Sequence, residues 1–211
     1  MHRKGEIMEI LVVTGGIGSG KSEVCRILQQ TYGCGVYNAD RRVKLLYDTH
    51  STLLADIEHL LGESLRDDEG RFIPARLSAR IFSDNGLLRK VEGLVFPALT
   101  DDFKEWSKDF AGDRFVVFES ATILEKPQLK GFGDKVVLVD ADMETRLERA
   151  CLRDSASKDN ITARMQNQNL MNSISSGEAL PEVDAVIRNV GTLDELHDLT
   201  VGVIEKLYGN L

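Results

Sequence analysis

The segment TGGIGSGKS, residues 14–22, contains the pattern G-x-x-x-x-G-K-[ST], whose residue types suit the binding of a phosphate chain. The pattern falls on Gly15, Gly20, Lys21 and Ser22. Because glycine has no Cβ and tolerates positive φ, consecutive backbone N–H groups can surround a phosphate group. Lys21 can then reach the terminal phosphates, and the Ser22 hydroxyl can ligate Mg²⁺. Within this loop (residues 15–22, the P-loop), the predicted nucleotide-binding residues are Gly16, Ile17, Gly18, Ser19, Gly20, Lys21 and Ser22.

The flanking sequence supplies the strand and the helix that such a loop needs. Glu9–Val13 is a short apolar run rich in β-branched residues, which is typical of a buried parallel strand. From Ser22 to Tyr32 the apolar residues follow helical spacing, and Gly33 stands where a glycine often ends a helix. That helix would direct its unpaired N–H groups at the same anion. A glycine-rich turn without a ligand is the alternative, and the lysine and serine in register argue against it.

Asp40 ends the run GVYNAD, at the predicted carboxyl end of the second strand. Since ligands of parallel α/β sheets bind at the carboxyl ends of the strands, Asp40 and the P-loop should face one crevice. Phosphoryl transfer to an alcohol needs a group that orients the hydroxyl and accepts its proton, and a carboxylate can do both. The alternative is that Asp40 caps a helix that begins at Arg41. Spacing alone leaves both interpretations open.

The strand FVVFE ends in a second acidic residue, Glu119. In proteins with a P-loop, an acid at the end of such a strand holds Mg²⁺ or a water of its shell. We therefore predict a metal site formed by Ser22 and Glu119. The alternative is an acidic residue that simply ends a strand and faces solvent.

Three arginines in the polar segment after the fourth strand are candidates for contacting a phosphoryl group. Arg149 and Arg153 lie four residues apart, so a helix would place both on one face. Arginine is always charged and binds phosphate oxygens in a forked geometry, which would stabilise the transition state of phosphoryl transfer. We predict catalytic roles for Arg149 and Arg153, with Arg164 as a third candidate. The alternative is a solvated helix face paired with Glu148 or Asp154.

Apolar runs alternate with helical patterns along the chain, which predicts crossover units and a parallel sheet covered on both faces. The predicted strands are Glu9–Val13, Gly35–Asn38, Phe115–Glu119, Lys135–Val139 and Ala185–Ile187. The predicted helices are Ser22–Tyr32, Arg41–Tyr47, Leu53–Leu61, Ala75–Phe82, Asn85 to about Phe110, Asp142–Arg153, Lys158 to about Asn169 and Leu193–Leu207. Thr192 and Glu195 form a capping-box pattern before the last helix, and Gly209 follows its end.

The bulk properties of the chain bound its class. A chain of 211 residues with 42% hydrophobic residues fits one α/β domain with insertions. The formal net charge of −8 argues against a nucleic-acid-binding protein, although a local pocket can still attract an anion. The three cysteines show no metal-ligand spacing, which predicts free thiols in a reducing compartment. We expect no membrane span and a cytoplasmic location, because no apolar run approaches the ~18–20 residues that a span needs.

The combined segments resemble the dephospho-coenzyme A kinase family over nearly the whole chain. The similar segments are TGGIGSGKS (14–22), YNAD (37–40), FIPARLSARIF (72–82), RACLRDSASKDNITARMQNQ (149–168) and the closing segment 184–191. The resemblance implies that Asp40 is the catalytic base and that Asn189 lies near the adenine. It also implies transfer of the ATP γ-phosphate to the ribose 3′-hydroxyl of dephospho-CoA, the last step of coenzyme A synthesis.

The expected fold is a three-layer α/β P-loop kinase with a five-stranded parallel sheet. We expect the core at about residues 8–40, 111–145 and 183–211, a helical CoA-binding insertion at about 41–110 and a lid at about 146–182. The expected cofactors are ATP and Mg²⁺, and the expected partner is dephospho-CoA, with the oligomeric state open.

Two departures from the family pattern keep other functions in view. Phe96 stands where the family usually has histidine, and the segment 121–125 differs from the usual Pro-Leu-Leu-Phe-Glu. One alternative is a nucleoside or nucleoside-monophosphate kinase, whose helical insertion would hold a compact base. The other is a nucleotide-binding regulator with little chemistry, against which Asp40 and the arginines argue.

Overall fold

The structure is a computed structural model that describes residues 8–81, 84–166, 168 and 182–209 of the 211-residue chain. The described residues within Met1–Asn38 and Phe110–Leu211 form one compact unit, which we name the sheet unit. Those within Ala39–Asp109 form a second compact unit, the helical unit.

Parallel strands form the centre of the sheet unit. They are β1 (Glu9–Gly15), β2 (Val36–Asn38), β3 (Phe115–Glu119), β4 (Lys135–Asp140) and β5 (Ala185–Arg188). Their order in the sheet is β2-β3-β1-β4-β5, and every neighbouring pair is parallel, which confirms the predicted five-stranded parallel sheet. Asn38 stands opposite Glu119 in the register, and Asp140 stands opposite Arg188. The polar residues that end the strands therefore meet at the carboxyl edge of the sheet.

The helices lie close to the positions that periodicity predicts. In chain order they are α1 (Lys21–Tyr32), α2 (Ala39–Thr49), α3 (Leu53–Leu61), α4 (Pro74–Ile81), α5 (Asn85–Ser107), α6 (Met143–Asp154), α7 (Lys158–Gln166) and α8 (Leu193–Tyr208). A short 3₁₀ turn, Lys108–Phe110, follows α5, and the predicted ends at Phe82 and Asn169 lie outside the described residues. In the described part of the chain, no helix has the length and apolar character needed to cross a membrane.

One face of the sheet packs against α1 and α8, and this packing fixes both ends of the P-loop. Fully buried strand and helix residues share this core, among them Leu11, Val13, Val117, Val137, Val139, Val24, Leu28, Leu196 and Ile204. Burying each such side chain contributes about 1.5–3 kcal/mol. Because β1 and α1 are held by the same core, the loop between them has two rigid ends.

Local signals at the helix ends are confirmed. Gly33 has φ 69°, and its N–H donates to the Gln29 carbonyl at the end of α1, as expected for a glycine that ends a helix. Thr192 and Glu195 form the predicted capping box at the start of α8. An N-cap such as Thr192 stabilises a helix by about 1 kcal/mol.

The helical unit places α2, α3 and α4 against the long helix α5. Apolar side chains from all four helices are buried, including Leu46, Ile57, Leu77, Val95, Leu99 and Phe103. Asp84 caps α5, since its side chain accepts from the backbone N–H groups of Gly86 and Leu87. The interpretation of Asp40 as the cap of a helix that begins at Arg41 is wrong, because α2 begins at Ala39 and Asp40 lies inside its first turn.

Candidate active site

The P-loop joins β1 to α1 at the carboxyl edge of the sheet, and its glycines make close contacts. Gly18 has φ 76° and Gly20 has φ 99°, in the left-handed region that favours glycine. A Cβ on Gly18 would stand 2.1 Å from the Arg146 carbonyl oxygen, and a Cβ on Gly20 would stand 2.1 Å from Asn189 Nδ2. The loop is therefore packed against α6 and against the residue that follows β5.

Lys21 and Ser19 give the P-loop a cation and an unsatisfied hydroxyl. Lys21 Nζ donates to the carbonyl oxygen of Gly15 at 2.8 Å and to that of Gly16 at 3.0 Å. The Ser19 hydroxyl is buried and has no hydrogen-bond partner among the described residues, which is a costly state for a polar atom. The first N–H groups of α1 have no partner within the helix. Together these groups suit an oxygen-rich anion such as a phosphate chain.

Glu119 is buried beside the P-loop and connects β3 to both α1 and β2. Its Oε1 accepts from the Ser22 hydroxyl at 2.7 Å, and its Oε2 accepts from Asn38 Nδ2 at 2.6 Å. Only 6% of Glu119 is exposed, so the interpretation of an acid facing solvent is wrong. The structure brings the predicted pair Ser22 and Glu119 together. It also adds Asn38, which sequence reasoning missed although Asn38 ends the strand next to β3.

Asn189 holds the P-loop from the opposite side. Its Nδ2 donates to the Ser19 carbonyl at 2.9 Å, and its own N–H donates to the Asp140 carbonyl at 2.7 Å. Its carbonyl oxygen accepts from Arg149 Nη1 at 3.0 Å. Asn189 thus links the loop to β4 and to α6, and its predicted position near the adenine stays a prediction.

A cavity of about 170 Å³ brings the two predicted arginines of α6 to the P-loop. It is lined by Gly18, Gly20, Lys21, Ser22, Arg149 and Arg153. This concentrates positive charge in a protein whose net charge is −8. Arg164 is not among the described residues that line the cavity.

Asp154 pairs with two of the candidate arginines. It accepts from Arg153 Nε at 2.7 Å and from Arg164 Nη1 at 2.6 Å. Hydrogen bonds from Arg153 and then Arg164 hold the pKa of the Asp154 carboxyl well below its usual range. The alternative, in which the arginines form a solvated face paired with Asp154, therefore holds for Arg164. It holds only in part for Arg153, which also lines the cavity.

Arg146 and Gln168 bind the P-loop, although sequence reasoning assigned neither of them to the site. Arg146 Nε donates to the Ile17 carbonyl at 3.0 Å, and Gln168 Oε1 accepts from the Ile17 N–H at 2.8 Å. Arg146 and Gln168 are both buried. Burial lowers the pKa of the Arg146 guanidinium, and the charge of Asp140 opposes that shift. Ile17, predicted to bind nucleotide, thus has both backbone polar groups engaged by protein side chains.

Asp40 lies in the first turn of α2, two residues after β2 ends at Asn38. An acidic residue in the first turn is favoured by the positive end of the helix dipole. Its role as a base beside the P-loop stays a prediction.

The donor set around Ser22 suits a hard cation that is shared with a phosphate group. Mg²⁺ prefers oxygen ligands and usually keeps several waters, so one or two protein oxygens suffice when phosphates supply others. The Ser22 hydroxyl and the Glu119 carboxylate are such oxygens, 2.7 Å apart. Among the residues described, no cluster of three or more His, Cys, Asp or Glu side chains could hold a metal without a bound nucleotide.

A larger cavity of about 550 Å³ lies elsewhere in the sheet unit and contains none of the predicted site residues. It is lined by the β3–β4 connection and by residues near the starts of β4 and β5. Two of its acids have structural partners, since Asp134 accepts from the Ile10 N–H and Asp184 from the Val136 N–H, each at 2.7 Å. Size alone therefore does not identify the reactive site of this chain.

Comparisons with known proteins agree with this geometry. A family model for dephospho-CoA kinase matches residues 9–195. A dephospho-CoA kinase of Porphyromonas gingivalis is 35% identical over 192 residues, covering 85% of this chain and 93% of that protein. The solved structure of TT1252 from Thermus thermophilus has a TM-score of 0.79 at 25% identity, covering 96% of this chain and all of that one. The dephospho-CoA kinase from Campylobacter jejuni shares the fold, with a TM-score of 0.55 at 21% identity over 95% of this chain and 97% of that one.

Proposed function

The chain belongs to the dephospho-CoA kinase family, and from this premise we propose how its own residues carry out the reaction. The enzyme is a kinase that phosphorylates dephospho-CoA in coenzyme A biosynthesis, as the sequence predicts. We therefore set aside the two alternative functions, a nucleoside kinase and a nucleotide-binding regulator with little chemistry. The roles below, the use of Mg²⁺ and the location in the cell are our proposals.

The P-loop binds the phosphate chain of ATP with its backbone N–H groups and the N-terminus of α1. Lys21 Nζ, which donates to the Gly15 and Gly16 carbonyls, turns to the β- and γ-phosphate oxygens when they arrive. Several loop carbonyls already have protein donors, and the Ile17 and Ser19 N–H groups donate to Gln168 and to the Gly16 carbonyl, so the phosphates would be bound by the other N–H groups of the loop. This arrangement binds a polyanion without a large reorganisation of the loop.

Ser22 and Glu119 would hold Mg²⁺ together with the phosphates, with Ser22 as the direct ligand and Glu119 acting through the outer shell. Asn38 fixes the second oxygen of Glu119, so the carboxylate keeps one orientation toward Ser22. When bound, Mg²⁺ neutralises negative charge on the phosphate oxygens. Support comes from the burial of Glu119 and its two hydrogen bonds to neutral donors.

Asp40 orients the ribose 3′-hydroxyl of dephospho-CoA and accepts its proton as the oxygen attacks the γ-phosphorus. The bond from that phosphorus to the bridging oxygen breaks, and ADP leaves. Arg149 and Arg153 stabilise the negative charge on the transferring group, as a pair of cations at one cavity can do. The helical unit would bind the pantetheine arm, and the segment at about residues 146–182 would act as a lid.

The cavity in which the P-loop, Lys21, Ser22, Arg149 and Arg153 meet is the observation that carries this proposal. Cations on two sides of a glycine loop can neutralise the phosphate oxygens and the charge that develops during phosphoryl transfer. We also place the enzyme in the cytoplasm. All three cysteines, which lie in the described residues, are free, as expected in a reducing compartment.

A coupled ADP-release assay tests the function. We expect ADP release from Mg-ATP with dephospho-CoA, and none with CoA, whose 3′-hydroxyl is already phosphorylated. Nucleosides and nucleoside monophosphates serve as further acceptors. Release with one of these but not with dephospho-CoA would overturn the assignment. Replacing Mg²⁺ by EDTA should abolish release, and activity that persists in EDTA would remove Mg²⁺ from the mechanism.

A further inference from the structure

The backbone N–H and carbonyl of Ile17 are both held by buried side chains that the catalytic proposal does not use. Arg146 Nε donates to its carbonyl, and Gln168 Oε1 accepts from its N–H. Arg146 Nη2 is also 3.5 Å from Gln168 Oε1, so the two side chains meet. Only 3% of Arg146 and 5% of Gln168 are exposed.

The packing around Gly16 and Gly18 shows how closely α6 approaches the loop. A Cβ on Gly16 would stand 2.0 Å from Arg146 Nη2, and a Cβ on Gly18 would stand 2.1 Å from the Arg146 carbonyl. The guanidinium therefore lies directly against the Gly16 backbone, and the helix backbone lies against Gly18. Residue 146 contacts the loop with both its side chain and its main chain.

Burial of Arg146 has a cost that needs a compensating role. A guanidinium removed from water loses hydration, and its burial is favourable only when its donors are used. The donors of Arg146 are directed at the loop carbonyl and at Gln168. An apolar side chain would fill the same space on α6 without that cost. What the arginine adds is a fixed direction for the Ile17 carbonyl.

We propose that Arg146 and Gln168 are positioning residues that set the P-loop in its phosphate-binding conformation. With the Ile17 carbonyl turned to Arg146, no loop oxygen at this position faces the phosphate chain. With its N–H turned to Gln168, the loop keeps one register, in which the groups from Gly18 onward bind the phosphates. Gln168 follows α7 by two residues, so the P-loop is tied to the segment proposed as the lid. This inference rests on the proposed ATP site.

Nucleotide affinity, measured without an acceptor, tests the proposal. Titration of the full chain with Mg-ADP should show binding weakened about tenfold or more in Arg146→Met, which keeps the apolar stem but loses a charge-assisted hydrogen bond. Gln168→Met should weaken binding similarly, whereas Gln168→Glu keeps the acceptor oxygen and should restore affinity to within a few-fold. The double variant should lose little more than either single one, because both side chains act through the backbone of the same residue, Ile17.

A stability control separates positioning from general loss of folding. Ile204→Val removes one methyl group from the core beneath α8 and should lower the melting temperature without changing ADP affinity. In turnover assays, Arg146→Met should raise KM for ATP and leave KM for dephospho-CoA nearly unchanged. The proposal is overturned if Arg146→Met and Gln168→Met bind Mg-ADP within twofold of the wild type, or if both KM values rise equally. Wild-type ADP binding without phosphorylation of dephospho-CoA would contradict the function and leave this inference standing.

Discussion

Two sides of the P-loop use charged groups in opposite ways. On the side of β2 and β3, which we name the carboxylate side, Glu119 is buried and its oxygens accept from Ser22 and Asn38. On the side of α6, which we name the arginine side, Arg146 donates to the Ile17 carbonyl of the loop, and Arg149 donates to the carbonyl of Asn189, the residue after β5. One side therefore suits a cation and the other suits an anion.

The difference shows that the role of a charged side chain depends more on its burial and its hydrogen-bond partners than on its residue type. Arg146 is buried and holds the loop, Arg149 is bound to a carbonyl at the cavity, and Arg164 pairs with an exposed aspartate. All three are arginines on one stretch of about twenty residues. A comparison of the two sides by mutation should therefore separate effects on metal use, on phosphate charge and on stability.

The largest effect should come from Asp40, the proposed base. We expect Asp40→Asn to lower kcat by ~10²–10⁴, because the amide keeps the shape but accepts no proton. Steady-state turnover with saturating Mg-ATP and dephospho-CoA measures the change. Asp48→Asn, on an exposed position of the same helix, is the control and should turn over like the wild type. Wild-type turnover of Asp40→Asn would remove Asp40 from its role.

On the arginine side, Arg149→Met should lower kcat by ~10², the scale of losing one group that stabilises transition-state charge. The concentration of Mg²⁺ that gives half-maximal activity should stay the same. Arg164→Met is the matched control, because Arg164 pairs with Asp154, and its kcat should stay within about twofold of wild type. If both variants lose activity equally, the distinction between cavity and surface arginines is wrong.

On the carboxylate side, Glu119→Gln should act mainly through the metal. We expect the Mg²⁺ requirement to rise by about 10–100-fold, the usual cost of removing an outer-shell partner. Activity measured across a Mg²⁺ titration gives this number, and excess Mg²⁺ should recover much of the rate. Glu125→Gln is the control, since Glu125 lines the larger cavity instead. A uniform loss of rate at every Mg²⁺ concentration would count against a metal role for Glu119.

Sequence reasoning predicted the fold well because buried parallel strands are continuous apolar runs. The bounds of β3 match residue for residue, and the other strands match within two residues at each end. Of the predicted site residues, the structure brings together those that the P-loop motif defines, and it pairs Ser22 of α1 with Glu119 at the end of β3. In both cases the relevant neighbours follow from local pattern and sheet register.

The contacts that sequence reasoning missed depend on tertiary packing. Helix α6 has the polar sequence METRLERACLRD, in which no local rule separates Arg146 from Arg149 or Arg153. The one available signal is spacing, because Arg146 lies four residues before the buried Ala150 on the same helix face. Gln168 contacts a residue 151 positions away, and no periodicity reports such a distance.

The smallest effect should come from Asp154, which ends α6 and pairs with Arg153 and Arg164. Its folded pKa is held below the usual value of about 3.9 by Arg153 and Arg164, so its contribution to stability is present above that pH. The contribution is lost as the pH falls through the lowered pKa. We expect Asp154→Asn to reduce the free energy of unfolding by less than about 1 kcal/mol, as exposed ion pairs do.

Urea denaturation of the wild type and of Asp154→Asn at several pH values measures this contribution. The difference between the two proteins should be constant from about pH 5 to pH 8 and should shrink below about pH 4, where the Asp154 carboxyl of the unfolded wild type begins to take up a proton while that of the folded protein stays charged. Turnover should stay within about twofold of wild type, since an exposed pair contributes little to the cavity. A large loss of kcat in Asp154→Asn would instead mean that Asp154 positions Arg153 at the cavity. Asp154 would then belong to the reactive site.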